Sequence, residues 1–106
     1  MEVQVITDSD FEKYITENEK VVVKYMADWC GSCKLFAPKF KRIANDERFQ
    51  GIKFIEVNAE ENELARKSGG VDNLPYIAFF KSGEKIDGRA TSVEEKVVEL
   101  IQSNFL

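Results

Sequence analysis

The segment VVVKYMADWCGSCK, residues 21–34, decides the fold that we expect for this chain. Its first half, Val21 to Ala27, is apolar except for Lys24 and begins with β-branched residues, a composition typical of a buried strand. From Cys33 to about Arg48, apolar residues recur at helical spacing, which predicts a long helix with one buried face. That face is formed by Phe36, Phe40, Ile43 and Ala44. Two cysteines therefore lie where a buried strand meets a helix.

Outward from this segment, strand and helix patterns alternate along the chain. Further strands are predicted at residues 3–6, 52–57, 76–80 and 84–86. Helices are predicted to begin at the capping boxes Ser9–Glu12 and Ser92–Glu95 and to cover Glu61–Lys67. The order βαβαβαββα predicts an α/β fold with a parallel sheet, helices on both of its faces, and an antiparallel edge at the final hairpin.

Composition excludes several classes of protein. The 106 residues are expected to form one domain spanning residues 1–106. Histidine is absent, which excludes Cys-His catalysis and imidazole metal ligands, and two cysteines cannot close a four-cysteine zinc site within one chain. With 15 basic and 19 acidic residues the net charge is −4, which argues against binding to nucleic acid. We therefore expect no metal and no cofactor.

The sequence also bears on the compartment in which the chain works. Residues 1–8 contain no basic start followed by a long apolar run, so no secretion signal is expected. No stretch approaches the roughly 18 apolar residues that are needed to span a membrane. We expect a cytoplasmic protein, in a compartment where free thiols are kept reduced.

The spacing of the two cysteines favours redox chemistry. Cys30 falls at the entrance of the predicted helix, where free backbone N–H groups and the positive end of the helix dipole stabilise a thiolate. Cys33 follows one turn later, close enough to attack a mixed disulfide on Cys30. Gly31 is expected to permit the tight entry, and Ser32 adds neither bulk nor charge. The alternatives are two buried core cysteines, or thiolates that share a metal ion across a dimer.

The same residues resemble the thioredoxin family. Residues 29–38 follow its W-C-G-P-C-K-x-x-x-P pattern with one change, since Ser32 replaces the first proline. Leu74-Pro75 resembles the family's cis-proline segment, residues 80–84 its F-x-x-G-E hairpin, and Gly88 its late glycine. The resemblance implies a thioredoxin-like three-layer α/β/α sandwich with a mixed central sheet.

The resemblance also implies a function. A member of this family is a small dithiol-disulfide oxidoreductase that reduces protein disulfides through its cysteine pair, here Cys30 and Cys33, and is recharged by a thioredoxin reductase, whose type the sequence does not indicate. It is typically a monomer. The implied substrate groove comprises Trp29, Gly31, Ser32, Leu74, Pro75 and Gly88. The alternatives are a protein-interaction module with incidental redox activity and a more oxidising isomerase-like domain.

Several departures from the family pattern bear on the chemistry. Ser32 stiffens the loop less than proline and can donate a hydrogen bond to a thiolate, so we expect a modestly more oxidising couple. The segment Ser68–Asn73 is one residue longer than usual, so the groove wall is expected to differ.

The most consequential departure is a reversal of charge. Lys24 stands where the family has a buried aspartate, and Glu56 stands where it has the partner lysine. We expect the ion pair to be kept with its polarity reversed; the alternative is that both side chains point separately into solvent. If the pair exists, three routes for proton handling are open. Lys24 is a neutral base, or its charge stabilises the Cys33 thiolate, or Glu56 relays a proton through water.

Overall fold

The computed structural model describes residues 2–106, which form five strands and four α-helices. The strands are β1 (Gln4–Val5), β2 (Lys20–Met26), β3 (Lys53–Asn58), β4 (Tyr76–Lys81) and β5 (Glu84–Ala90). The helices are α1 (Asp8–Glu17), α2 (Gly31–Ala44), α3 (Glu63–Gly69) and α4 (Glu94–Phe105), with a short 3-10 turn at Glu47–Phe49. The predicted order is confirmed, although β1 is shorter, β5 longer, and the long helix ends before Arg48.

The strands form one mixed sheet in the order β1-β3-β2-β4-β5. β3 lies parallel to both β1 and β2, whereas β4 is antiparallel to β2 and to β5. The expectation that only the final hairpin is antiparallel is therefore wrong. The reason is that the connection between β3 and β4, which contains α3, returns the chain to the end of the sheet at which β3 stops and does not cross back to its start. β4 consequently begins near the end of β2, where Tyr76 pairs with Tyr25.

Two apolar layers enclose the sheet and complete a three-layer α/β/α sandwich. On one face, Phe36 and Phe40 of α2 and Ile101 of α4 pack against Val22 and Ile77. On the other face, the residues that pack together are Phe11, Ile15, Val21, Val23, Tyr25, Ala65 and Phe80. The predicted helical stripe of α2 is buried throughout. No helix within residues 2–106 is long and apolar enough to cross a bilayer.

Both capping boxes predicted from the sequence are wrong. α1 begins at Asp8 after Thr7, and α4 begins at Glu94 after Val93, and neither start has a side-chain capping bond. Ser9 lies within the first turn of α1, where its hydroxyl contacts the Thr7 hydroxyl at 3.0 Å. Phe11 and Ile15 of α1 nevertheless pack against the sheet, as their helical spacing predicts.

Asp8 joins α1 to α3. Its carboxylate accepts hydrogen bonds from the backbone N–H groups of Leu64 and Ala65, at 3.1 and 2.8 Å. Its own N–H donates to Asn62 Oδ1 at 2.7 Å. Asp8 therefore caps the start of a helix that lies more than fifty residues away in the chain, a role that no local pattern predicts.

Replacement of this cap tests its contribution to stability. We expect Asp8→Ala to lower the free energy of unfolding by about 1–2 kcal/mol, because two helix N–H groups lose their acceptor. Urea denaturation followed by circular dichroism measures the change. Asp10→Ala, in the same turn of α1 but exposed, is the matched control and should change stability by less than about 0.5 kcal/mol. Equal effects of the two substitutions would contradict the capping role.

Candidate active site

The cysteine pair lies at the start of α2. Cys30 is the N-cap residue, and Cys33 lies in the first turn, with 5.3 Å between the two Cα atoms and a disulfide between the sulfur atoms. The backbone N–H of Cys33 donates to Cys30 Sγ at 3.2 Å. A helix-terminal N–H group is therefore aimed at the sulfur on which a thiolate is expected, as the spacing predicts.

The disulfide lies in a cluster of apolar side chains. Cys30 and Cys33 are both buried and pack with Ala27, the residue that follows β2. Met26 and Leu74 pack against this cluster from the end of the strand and from the loop before β4. Ala27 and Met26 are missing from the sequence-based site, because an apolar residue at a strand end carries no signal beyond burial.

Gly31 and Ser32 form the exposed side of the redox loop. A Cβ built at Gly31 would meet nothing within 4 Å, and its φ is not left-handed, so Gly31 permits the helix entry without being needed for a close contact. The Ser32 hydroxyl lies 3.5 Å from Cys30 Sγ. It is therefore in position to donate a hydrogen bond to the sulfur when Cys30 becomes a thiolate.

Trp29 lies on the surface beside the cysteines, with 67% of its area exposed. Its indole Nε1–H donates to Glu60 Oε2 at 2.6 Å. Glu60 lies in the turn after β3, which is held by hydrogen bonds from the Glu60 and Glu61 N–H groups to Asn58 Oδ1. The sequence does not indicate a role for Glu60, because Trp29, its hydrogen-bond partner, lies thirty-one residues away.

The loop before β4 forms the opposite wall. The Leu74–Pro75 peptide bond is cis, as the family resemblance implies. Leu74 packs against the cysteine cluster, and Pro75 is buried. The Pro75 carbonyl accepts a hydrogen bond from the Thr91 N–H at 3.1 Å, which ties this wall to the end of β5.

Gly88 does not adjoin this wall. It pairs with Ala78 in the middle of the hairpin, whereas Thr91 is the residue that meets Pro75. Gly88 leaves room for neighbouring side chains: a Cβ there would lie 2.8 Å from Lys85 Cε and collide with the Tyr76 hydroxyl, so both side chains would have to shift. Thr91, and not Gly88, is therefore the residue of this hairpin that is hydrogen-bonded to Pro75.

Lys24 and Glu56 form the ion pair with reversed polarity. They are register neighbours on β2 and β3, and Lys24 Nζ lies 2.9 Å from Glu56 Oε1. Lys24 is only 2% exposed, whereas Glu56 reaches partly into solvent. The ammonium also lies 5.4 Å from the centre of the Phe40 ring. The pair thus sits between the sheet and α2, on the face from which Met26 reaches the cysteines.

A cysteine pair at a helix start, a cis-proline wall and an exposed tryptophan define a dithiol-disulfide oxidoreductase of the α/β/α class. Within residues 2–106, no group of three or more potential metal ligands is present. The chain belongs to the thioredoxin family, since residues 2–103 match the family model described as thioredoxin. It is accordingly a protein disulfide oxidoreductase with a redox-active cysteine pair.

Individual relatives agree with this assignment. A thioredoxin from Malassezia sympodialis is 37% identical over 86 residues, covering 80% of this chain and 82% of the relative. Thioredoxin-1 of Schizosaccharomyces pombe is 32% identical over 102 residues, covering 96% and 97%. The X-ray structure of Fasciola hepatica thioredoxin superimposes with a TM-score of 0.85 at 33% identity, covering 95% of this chain and 98% of the other.

The contact between Ser32 and Cys30 generates a prediction about the redox couple. We expect Ser32→Pro to make the couple more reducing by about 20–30 mV, because the thiolate of the reduced form loses a donor worth about 1–1.5 kcal/mol. Equilibration with glutathione mixtures measures the potential. Ser32→Ala removes the hydroxyl without adding a ring and should give a similar shift. A Ser32→Pro potential at or above the original value would contradict the role.

Proposed function

We propose that this chain reduces disulfide bonds in other proteins through the Cys30-Gly-Ser-Cys33 sequence. The proposal rests above all on the N-cap position of Cys30, whose sulfur accepts a hydrogen bond from a helix N–H group. The same sulfur belongs to the apolar cluster of Ala27, Cys30 and Cys33. Such a donor stabilises the thiolate, the form of cysteine that attacks disulfides. Cys33, more deeply enclosed, is suited to resolving the intermediate.

The proposed reaction has two exchange steps. The Cys30 thiolate attacks one sulfur of a substrate disulfide, a Cys30–substrate disulfide forms, and the other substrate sulfur leaves as a thiolate that takes up a proton. Cys33 then gives up its proton and attacks Cys30 Sγ. The Cys30–Cys33 disulfide forms, and the second substrate sulfur leaves. Two electrons thus pass from the chain's dithiol to the substrate.

The proposed setting follows from this chemistry. A reductase must return two electrons to the Cys30–Cys33 disulfide, so we assign a thioredoxin reductase as partner, with a reducing cytoplasm as the compartment and a monomer as the working form. Trp29, Ser32 and Leu74 form the rim that meets the substrate. Gly31 leaves the rim open because no side chain stands over the disulfide there.

Insulin provides the first test of the proposed activity. With dithiothreitol as the electron source, we expect the chain to accelerate insulin reduction, followed as precipitation of the freed chains. Cys30→Ser should reduce this activity to the background rate because it removes the attacking sulfur. In a separate mixture without dithiothreitol, Cys33→Ser should form a long-lived mixed disulfide with insulin that is visible on non-reducing gels.

The same variants distinguish the alternative function. An interaction module would show no acceleration of insulin reduction, and its partner binding would survive both Cys30→Ser and Cys33→Ser. Disulfide reduction that disappears with Cys30→Ser would exclude that alternative.

We also propose that Lys24 and Glu56 participate in proton handling at the cysteines. The 2.9 Å contact with Glu56 and the nearby Phe40 ring both stabilise a charged ammonium, so a charged Lys24 is favoured over a neutral base. Three strand residues, about 10 Å, separate Lys24 from Ala27 in the cysteine cluster. At about that distance an unpaired charge is worth about 1–2 kcal/mol at an effective dielectric constant of about 20. The carboxylate of Glu56, 2.9 Å from the ammonium, offsets part of this, and the remainder favours the thiolate form.

Lys24→Met tests this role, since methionine fills a similar volume without the charge. We expect the pH at which insulin-reduction activity is half-maximal to rise by up to about one unit, because the thiolate loses a nearby positive charge. Rates measured from pH 5 to 9 give this midpoint. Glu56→Gln keeps the cation and should leave the midpoint unchanged or lower it. An unchanged rate and pH profile for Lys24→Met would mean that Lys24 has no part in the chemistry.

A further inference from the structure

One backbone donor beside the cysteines is occupied by a neighbouring side chain. The N–H of Leu74 donates to Asn73 Oδ1 at 2.9 Å. Pro75 has no N–H, and its carbonyl already accepts from Thr91. At this wall, therefore, the N–H of Leu74 is the only backbone donor of residues 74 and 75, and an amide oxygen from its own chain covers it.

The position of this donor relates it to the redox site. The side chain of Leu74 packs directly against the cluster of Ala27, Cys30 and Cys33, which places its backbone beside the disulfide. Asn73 is exposed, so its side chain can rotate away into water without opening the core. Its Oδ1 is an amide carbonyl oxygen, chemically equivalent to the backbone carbonyl of an extended peptide.

We propose that the Asn73 side chain competes with substrate, because its Oδ1 occupies the Leu74 N–H to which a substrate backbone carbonyl would bind. An extended peptide that carries a disulfide docks by placing one of its backbone carbonyls on the Leu74 N–H, and Asn73 Oδ1 must leave first. Peptides that pair with a free strand-like backbone gain affinity through such bonds. Asn73 thereby weakens binding of protein disulfides and leaves small disulfides, which lack a peptide backbone, unaffected. The inference rests on the proposed function, in which protein disulfides are the substrates.

Asn73 Oδ1 and a substrate carbonyl compete for the same donor, the Leu74 N–H. In the chain as it stands, docking exchanges one hydrogen bond to an amide oxygen for another, so the Leu74 N–H adds little net affinity. Without the Asn73 amide, the N–H faces only water, and the new bond to substrate contributes the net amount of a typical protein hydrogen bond. That amount corresponds to a rate or affinity gain of about two- to tenfold.

The decisive experiment uses the reduced, full-length chain and its Asn73→Ala variant. Each is mixed with insulin and, separately, with 5,5′-dithiobis(2-nitrobenzoic acid), and the second-order rate constant of disulfide reduction is measured. We expect Asn73→Ala to raise the insulin rate constant about two- to tenfold and to leave that of the small disulfide unchanged. An insulin rate that is unchanged or lower would overturn the inference, as would an equal gain with both disulfides.

Two control variants isolate the hydrogen bond. Asn73→Asp keeps an acceptor oxygen at the same place and should show no gain in the insulin rate. Asp72→Ala alters the adjacent exposed residue without touching the bond and should also show no gain. A gain with either control would assign the effect to the charge or flexibility of the loop and overturn the inference.

Hydrogen exchange separates this inference from the proposed function. The Leu74 amide should exchange several-fold faster in Asn73→Ala than in the unmodified chain, a result that does not depend on activity. Equal exchange rates would show that Asn73 does not cover the donor. If the unmodified chain fails to reduce insulin while the exchange rates differ, the proposed function fails, and the contact between Asn73 and Leu74 stands.

Discussion

Burial of β2 at its five central positions, 21–25, is the constraint on which the rest of the structure depends. The strand is paired on both edges, with β3 on one side and β4 on the other, and a helical layer covers each face. A strand enclosed in this way has no freedom in position or twist. Its end therefore delivers Cys30 to a defined point at the start of α2, where helix N–H groups are free to meet a sulfur atom.

Burial of β2 makes the charged side chain of Lys24 energetically costly. An unpaired ammonium at Lys24 would lose its hydration without compensation, so the fold requires the carboxylate of Glu56 on the adjacent strand. Parallel register places the two residues opposite each other, and Glu56 keeps part of its own hydration. The pair is thus a structural necessity of a lysine in this strand.

The direction of β4 assembles the remainder of the site. Because the connection that contains α3 does not cross back to the start of the sheet, β4 starts at the same end at which β2 stops. Leu74 and Pro75 are therefore brought against the cysteine cluster, and the end of β5 follows them through Thr91. The direction of β4 thus brings the cysteine pair and the cis-proline loop to one edge of the sheet.

Much of this protein is determined by the sequence alone, because the relevant signals act over a few neighbouring residues. The burial of β2, the apolar face of α2, and the cysteine pair at a helix start all follow from local spacing and composition. The pairing of Lys24 with Glu56 could be predicted only through family resemblance.

Other features are decided by tertiary structure alone. The cap that Asp8 provides for α3, the bond from Trp29 to Glu60, and the contact of Thr91 with Pro75 join residues that lie 16 to 57 positions apart. Polar side chains have many possible partners along a chain, and only packing selects one. For the same reason the capping boxes failed, and the close approach of Tyr76 to Gly88 has no signal in the sequence.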